Sequence, residues 1–188
     1  MREYKKASIK KYLDDLSAKS PVPGGGSSAA LSAAMAAALL GMTINFTLGK
    51  ERYRKYECWL NEALKESESL RTEFLRLMDL DVVAYDSGNY NDALDVPFMV
   101  ARLCFEGIKL CPVLAKRCNT NLISDVGVAA GLFEAAFFAA FLNVRVNLKV
   151  MNDRKLANPI ISELSRKSGS VRSLRAKTEG IVAEIIGR

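Results

Sequence analysis

The stretch Ser20-Pro-Val-Pro-Gly-Gly-Gly-Ser-Ser-Ala-Ala-Leu-Ser-Ala-Ala-Met-Ala-Ala-Ala-Leu-Leu-Gly-Met-Thr-Ile44 decides how the rest of this chain must fold. Two prolines stiffen the approach, and Gly24, Gly25 and Gly26 let the backbone turn where a side chain would clash. Ser27 or Ser28 is placed to cap a helix, and a long, uncharged, Ala-rich helix follows. A helix start without side chains in the way offers free N–H groups and a favourable dipole to a carboxylate or phosphate. The same spacing also suits a plain hinge before a structural helix. It is not a nucleotide loop: a dinucleotide fingerprint needs a preceding strand, and Lys5 to Lys19 reads as helix. A P-loop needs a Gly-Lys-Ser/Thr ending, which is missing.

Working outward, apolar residues recur at helical spacing nearly everywhere and strand signals are almost absent. The pattern predicts helices near 3–18, 27–48, 51–86, 97–118, 122–152 and 159–186. They are separated at Gly49, Ser87-Gly88-Asn89, Asn119-Thr120-Asn121 and Asn158-Pro159. Pro112 is expected to kink the fourth. The short connections predict an all-α, up-and-down antiparallel bundle of about six helices, with the 188 residues forming one domain. Two segments, Ser27–Leu48 and Val126–Leu142, are so poor in polar residues that each is expected to be buried on every side. Covering both is easier if a second copy of the chain contributes, so a homodimer is expected.

Composition narrows the function. The 49% hydrophobic content excludes a disordered chain. The net charge of +6 favours an anionic partner, but it is spread over many helix faces without interleaved aromatic residues, so nucleic acid is not expected. Ser27–Leu48 is long enough to span a bilayer, yet its Ala, Ser, Thr, Gly and Asn content suits close helix packing better than lipid; no membrane role is expected. Met1 to Lys6 lacks the apolar run of a signal peptide, which points to the cytoplasm. Cys104, Cys111 and Cys118 recur seven apart and read as buried reduced thiols. With no histidine and no Cys-x-x-Cys, a zinc site is not expected. The lack of histidine also rules out Ser-His-Asp and Cys-His catalysis, leaving carboxylate, Lys, Tyr or Cys to carry protons.

Polar residues on apolar stripes are the candidates, because a buried polar group needs a partner or a purpose. In the third helix the stripe Leu70, Phe74, Leu77, Asp81, Ala84 places Asp81 where an apolar residue belongs; Asp79 and Asp86 lie off it and read as solvated. A desolvated Asp81 is a candidate proton carrier, or else it caps or pairs with a neighbouring helix. In the fifth helix Asn143 and Asn147 fall one turn apart on the stripe Ala136, Ala140, Asn143, Asn147, Val150. They suit binding of a heteroaromatic edge, or tying helices together. Asn45 interrupts the second helix similarly. Asp125 starts a helix, where an acid suits the dipole. Antiparallel topology gathers Gly24–Ser27, Asp81, Asn143 and Asn147 at one end, with Asn45 and Asp125 at the other.

Pro21-Val22-Pro23-Gly24-Gly25-Gly26-Ser27-Ser28 resembles the opening of the formiminotransferase-cyclodeaminase C-terminal domain and its stand-alone relatives, among them methenyltetrahydrofolate cyclohydrolases. Leu48-Gly49-Lys50 with Tyr53, Asp81-Val82-Val83-Ala84-Tyr85, Asn119 with Ser124-Asp125, and Asn143 to Leu148 match in the family's order, so the resemblance spans roughly residues 10–155. It implies an all-helical fold, a dimer with folate bound where subunits meet, and action on tetrahydrofolate one-carbon adducts. It implies no metal or redox cofactor, the tetrahydrofolate derivative being the substrate. On that basis Asp81 is the expected proton carrier and Asp125 the second carboxylate. Gly24, Gly25, Gly26 and Ser27 are expected to hold an anionic part of the substrate, and Asn143 and Asn147 to orient its ring. The expected reaction is cyclodeamination of formiminotetrahydrofolate; the alternatives are methenyltetrahydrofolate hydrolysis or a non-catalytic, folate-binding helical dimer. The chain departs from the family where relatives carry Pro-Lys after Asp-x-x-Ala-Tyr: residues 82–101 hold no Lys or Arg, and Asp86, Asp92 and Asp95 make the segment acidic. Val22 also replaces the usual Thr.

Overall fold

A computed structural model describes residues 3–187. Among them there is no strand, and six α-helices run up and down as an antiparallel bundle: α1 Ile9–Ser17, α2 Gly25–Asn45, α3 Glu57–Ser87, α4 Tyr90–Leu114, α5 Ile123–Met151 and α6 Arg154–Ile186. Short 3-10 turns at Tyr4–Lys6, Glu51–Tyr56 and Thr120–Leu122 precede α1, α3 and α5.

The register between helices is fixed by close approaches. At one end of α2, Gly26 lies against Asp81 of α3; near the other, Gly41 lies against Ser67 and Glu68. The antiparallel pair α5 and α6 is pinned by Gly127 against Val182 and by an ion pair of Arg175 with Glu134 at 3.1 Å. Helices α4 and α5 approach closely at Gly107, where a Cβ would stand 2.6 Å from the Phe133 ring. Phe74, Phe133 and Phe137 are wholly buried, with Phe74 and Phe133 6.2 Å apart. Truncating one of these to Ala is expected to cost about 3–5 kcal/mol. Cys104, Cys111 and Cys118 are buried as expected, and burial pushes the Cys118 thiol up to about 11.

Several boundaries differ from the sequence reading for local reasons. Helix α4 begins at Tyr90, seven residues before Pro97, because the Asn89 side chain caps it by accepting the Asn91 N–H at 3.0 Å. Helix α6 begins at Arg154, not after Asn158-Pro159. Asn152 ends α5 in the left-handed region, and the Asp153 carboxylate caps α6 by accepting from Lys155 and Leu156 N–H. Pro112 falls in the last turn of α4, which stops at Leu114. The first expected helix is split, and Ser8 caps α1 by accepting the Lys11 N–H. Asn45 is exposed at the end of α2, not in the core.

Neither apolar helix is buried all round. Helix α2 leaves Met35 (47%) and Ala38 exposed, and Phe46 (58%) is exposed just beyond its end. Helix α5 exposes Val128 (53%), Leu142 (61%), Val146 (61%) and Val150 (57%) at helical spacing. Gly25–Asn45 and Thr120–Met151 are long and apolar enough to cross a membrane, and in this fold both pack lengthwise within the bundle.

Candidate active site

The start of α2 is built in an unusual way. Gly24 is the N-cap residue and has no side chain to serve the first turn, so Ser27 and Ser28 lie inside the helix and do not cap it. The cap comes from another helix. The Ser27 N–H donates to Asp81 Oδ2 at 2.8 Å, at the position where a capping oxygen normally accepts. Gly26 must be glycine here: a Cβ would stand 2.8 Å from the Asp81 carboxyl carbon and collide with an oxygen. The three glycines thus let α3 bring a carboxylate onto the helix terminus. The expected anion cradle is filled by the protein's own Asp81.

Asp81 is half-buried. Burial pushes its carboxyl above the usual carboxylate range, and the Ser27 N–H offsets part of that rise. One N–H bond does not compensate the loss of water around a charge, so the proton is held more tightly than on a free Asp. Tyr12 of α1, a residue without a sequence signal, supports the corner from behind: its hydroxyl donates to Ser27 Oγ at 3.2 Å and lies 3.3 Å from Ser28 Oγ.

Asn143 of α5 faces Gly25, where a Cβ would lie 3.5 Å from its Nδ2. That Nδ2 donates back to Ala139 O at 2.9 Å, and the amide oxygen lies 3.7 Å from the same Cβ position. Gly24–Ser27, Asp81 and Asn143, drawn from three helices, therefore share one corner. Asn147, one turn further along α5, has a different task. Its Nδ2 donates to Ala93 O at 2.5 Å. Pro97 has no N–H to give that carbonyl, so Asn147 repairs the α4 ladder from outside. A proline inside a helical pattern is the signal that could have predicted this.

Asp125 stands in the first turn of α5, about 27 Å along the helix axis from Asn143 at 1.5 Å per residue, so it does not join this corner within one chain. Asp79 is a correction: it is 7% exposed, not solvated. Its Oδ1 accepts the N–H groups of Tyr4 at 2.7 Å and Lys5 at 3.2 Å, anchoring the N-terminal turn. No group of three or more Cys, Asp or Glu side chains among the described residues is arranged to hold a metal ion.

A family profile described as formiminotransferase-cyclodeaminase matches residues 8–88 and 87–166. Methenyltetrahydrofolate cyclohydrolase of Methylorubrum extorquens is 37% identical over 179 residues, covering 83% of this chain and 86% of that protein. Formimidoyltransferase-cyclodeaminase of Rattus norvegicus is 26% identical, covering 78% of this chain, which spans only 31% of that longer protein. The crystal structure of formiminotetrahydrofolate cyclodeaminase from Thermotoga maritima superposes with a TM-score of 0.92 at 26% identity, covering 98% of this chain and all of that one. With the same helical fold and matches along most of its length, this chain belongs to the formiminotransferase-cyclodeaminase family.

Proposed function

We propose that this chain is an enzyme of folate one-carbon metabolism that forms or opens the methenyl bridge between N5 and N10 of a tetrahydrofolate. The observation that carries the reading is Asp81: a half-buried carboxyl of raised proton affinity, held on the Ser27 N–H beside the glycine turn and Asn143. In cyclodeamination, the N10 lone pair attacks the carbon of the protonated formimino group, N5–CH=NH2+. Asp81 takes the proton released from N10 and returns it to the leaving nitrogen, which departs as ammonia. Rigid positioning and one proton carrier suffice, so the reading needs no resident metal or redox cofactor. The substrate is held by Gly24, Gly25, Gly26 and Asn143, with a heteroaromatic edge rather than a carboxylate against the glycines, because Asp81 already supplies the anion there.

Hydrolysis is the second reading, favoured by the 37% identity to a methenyltetrahydrofolate cyclohydrolase. There Asp81 accepts a proton as water adds to the methenyl carbon and gives it to the ring nitrogen as the C–N bond breaks. The absence of Lys and Arg from residues 82–101 bears on which substrate is preferred. Supplying purified protein with formiminotetrahydrofolate or methenyltetrahydrofolate, and following methenyl absorbance and ammonia, separates the two. Turnover of neither above the spontaneous rate overturns the proposal and leaves the folate-binding dimer.

We also infer a cytoplasmic homodimer. The exposed apolar residues of α2 and α5 want a cover of their own kind. Asn143 and Asp125 lie near opposite ends of the α5 stripe. A two-fold axis across it would bring Asp125 of the partner subunit toward the Asp81 corner and put the site near the interface. Light scattering is expected to give an even-numbered assembly, and Leu142→Glu with Val146→Glu to give monomers. A wild-type monomer at micromolar concentration overturns it.

A further inference from the structure

One helical turn beyond Asp81, on the same face of α3, stand Ala84 and Tyr85. One and two turns beyond Asn143, on the same face of α5, stand Asn147 and Val150. These residues, with Tyr90 and Ala93 of α4, line a cleft of about 420 Å³. Its walls carry two exposed tyrosines, Tyr85 at 57% and Tyr90 at 60%, and its lining holds no charged side chain. Asn147 has already given its Nδ2 to Ala93 O, so it offers the cleft an oxygen that accepts a hydrogen bond. None of this is used by the proton transfer at Asp81.

We propose that this cleft is the subsite for the p-aminobenzoyl ring of the substrate, which stacks against Tyr85 and Tyr90. The proposal rests on the folate reading above. The reacting N5 and N10 atoms lie between two flat groups, and the two neighbouring corners differ in chemistry. The Gly25–Asn143–Asp81 corner has helix N–H donors, an amide and a carboxyl, which suit a heteroaromatic edge rich in donors and acceptors. The tyrosine cleft has two aromatic walls, Ala84, Ala93 and Val150, and the amides of Asn89 and Asn147, with no charge, which suit a benzene ring bearing an amide N–H. Carboxylates are disfavoured there, because Asp86 follows Tyr85 directly and Asp92 lies two residues after Tyr90. The glutamate tail therefore points out of the cleft.

The test is equilibrium binding of two probes, p-aminobenzoyl-glutamate and a tetrahydropterin without that group, to the full chain and its variants. Stacking of an aromatic pair contributes about 0.5–1.5 kcal/mol, so Tyr85→Ala and Tyr90→Ala are each expected to weaken p-aminobenzoyl-glutamate about 2- to 12-fold. Tetrahydropterin affinity is expected to stay as in wild type. Tyr85→Phe keeps the ring and restores affinity, and with the whole substrate the loss in Tyr85→Ala appears in KM rather than kcat. Weakened tetrahydropterin binding would assign the cleft to the other ring and overturn the proposal. Unchanged binding of both probes, in a wild type that turns over folate adducts, would remove the cleft from the site. A wild type that neither turns over folate adducts nor binds either probe would overturn the folate reading itself, and this inference with it.

Discussion

Asp79 and Asp81 stand two residues apart on α3, on different faces, and the contrast between them shows how the same side chain meets two different sets of partners in this fold. Asp79 accepts two backbone N–H groups, and its other oxygen faces the Lys5 ammonium at 3.9 Å. Asp81 accepts one N–H and has no ion pair among the described residues. Burial pushes the Asp81 carboxyl upward, and its one N–H donor offsets only part of that rise. Asp81, half-buried, meets the loss of water with a single backbone donor.

The largest test of that contrast is Asp81→Asn. The amide oxygen still accepts the Ser27 N–H, so the fold is expected to hold, while loss of the proton carrier is expected to lower kcat/KM about 10²- to 10⁴-fold. Turnover and thermal melting on the same preparation check this. Full activity in a destabilised protein would make Asp81 structural like Asp79.

Next is Gly26→Ala, which forces Asp81 off the helix terminus. Overpacking of this kind costs about 1–3 kcal/mol, and activity is expected to fall with stability. Gly25→Ala, 3.5 Å from Asn143, is expected to be milder in melting temperature. Equal effects at the two glycines would mean that Asp81 moves freely.

Asp79→Ala should show the opposite signature to Asp81→Asn. Losing a cap on the N-terminal turn is expected to cost about 0.5–2 kcal/mol. At roughly 2–4 °C per kcal/mol for a chain of this size, a lower melting temperature with near-normal turnover of the folded protein is the expected result. Lost turnover without lost stability would erase the distinction between the two acids.

The smallest effect is in pH dependence. Because the folded Asp81 carboxyl titrates above its unfolded value, the native state keeps a proton that the unfolded chain has released. Its contribution to stability is greatest below the unfolded value and declines as pH rises through the folded one. Melting temperature against pH is expected to lose this slope in Asp81→Asn. The matching acid limb of kcat/KM, displaced upward from an ordinary carboxylate, is expected to vanish as well. An identical profile in the variant would assign the limb to another group.

What the sequence determined by itself follows from periodicity and composition. Apolar recurrence at helical spacing and short connections specify six antiparallel helices, and the misplacement of Asp81 on an apolar stripe marks it out before any coordinates. The order of the matching stretches likewise identifies the family. Only the tertiary structure decided the partners. Asp79, off the stripe, reads as solvated in one dimension, and the partners of both acids lie 75 and 54 positions away in the chain, at Tyr4 and Ser27. Local rules place the cap of α2 on Ser27 or Ser28 because they admit only local donors and acceptors; α3 supplies it across the bundle. Asn147 looked like a ligand for the same reason, since the carbonyl it serves, Ala93, lost its helical donor to Pro97 on another helix. Periodicity tells which side of a helix faces inward. Which atom waits there is set by the register between helices, and that register comes from close approaches such as Gly26 on Asp81 and Gly107 on Phe133.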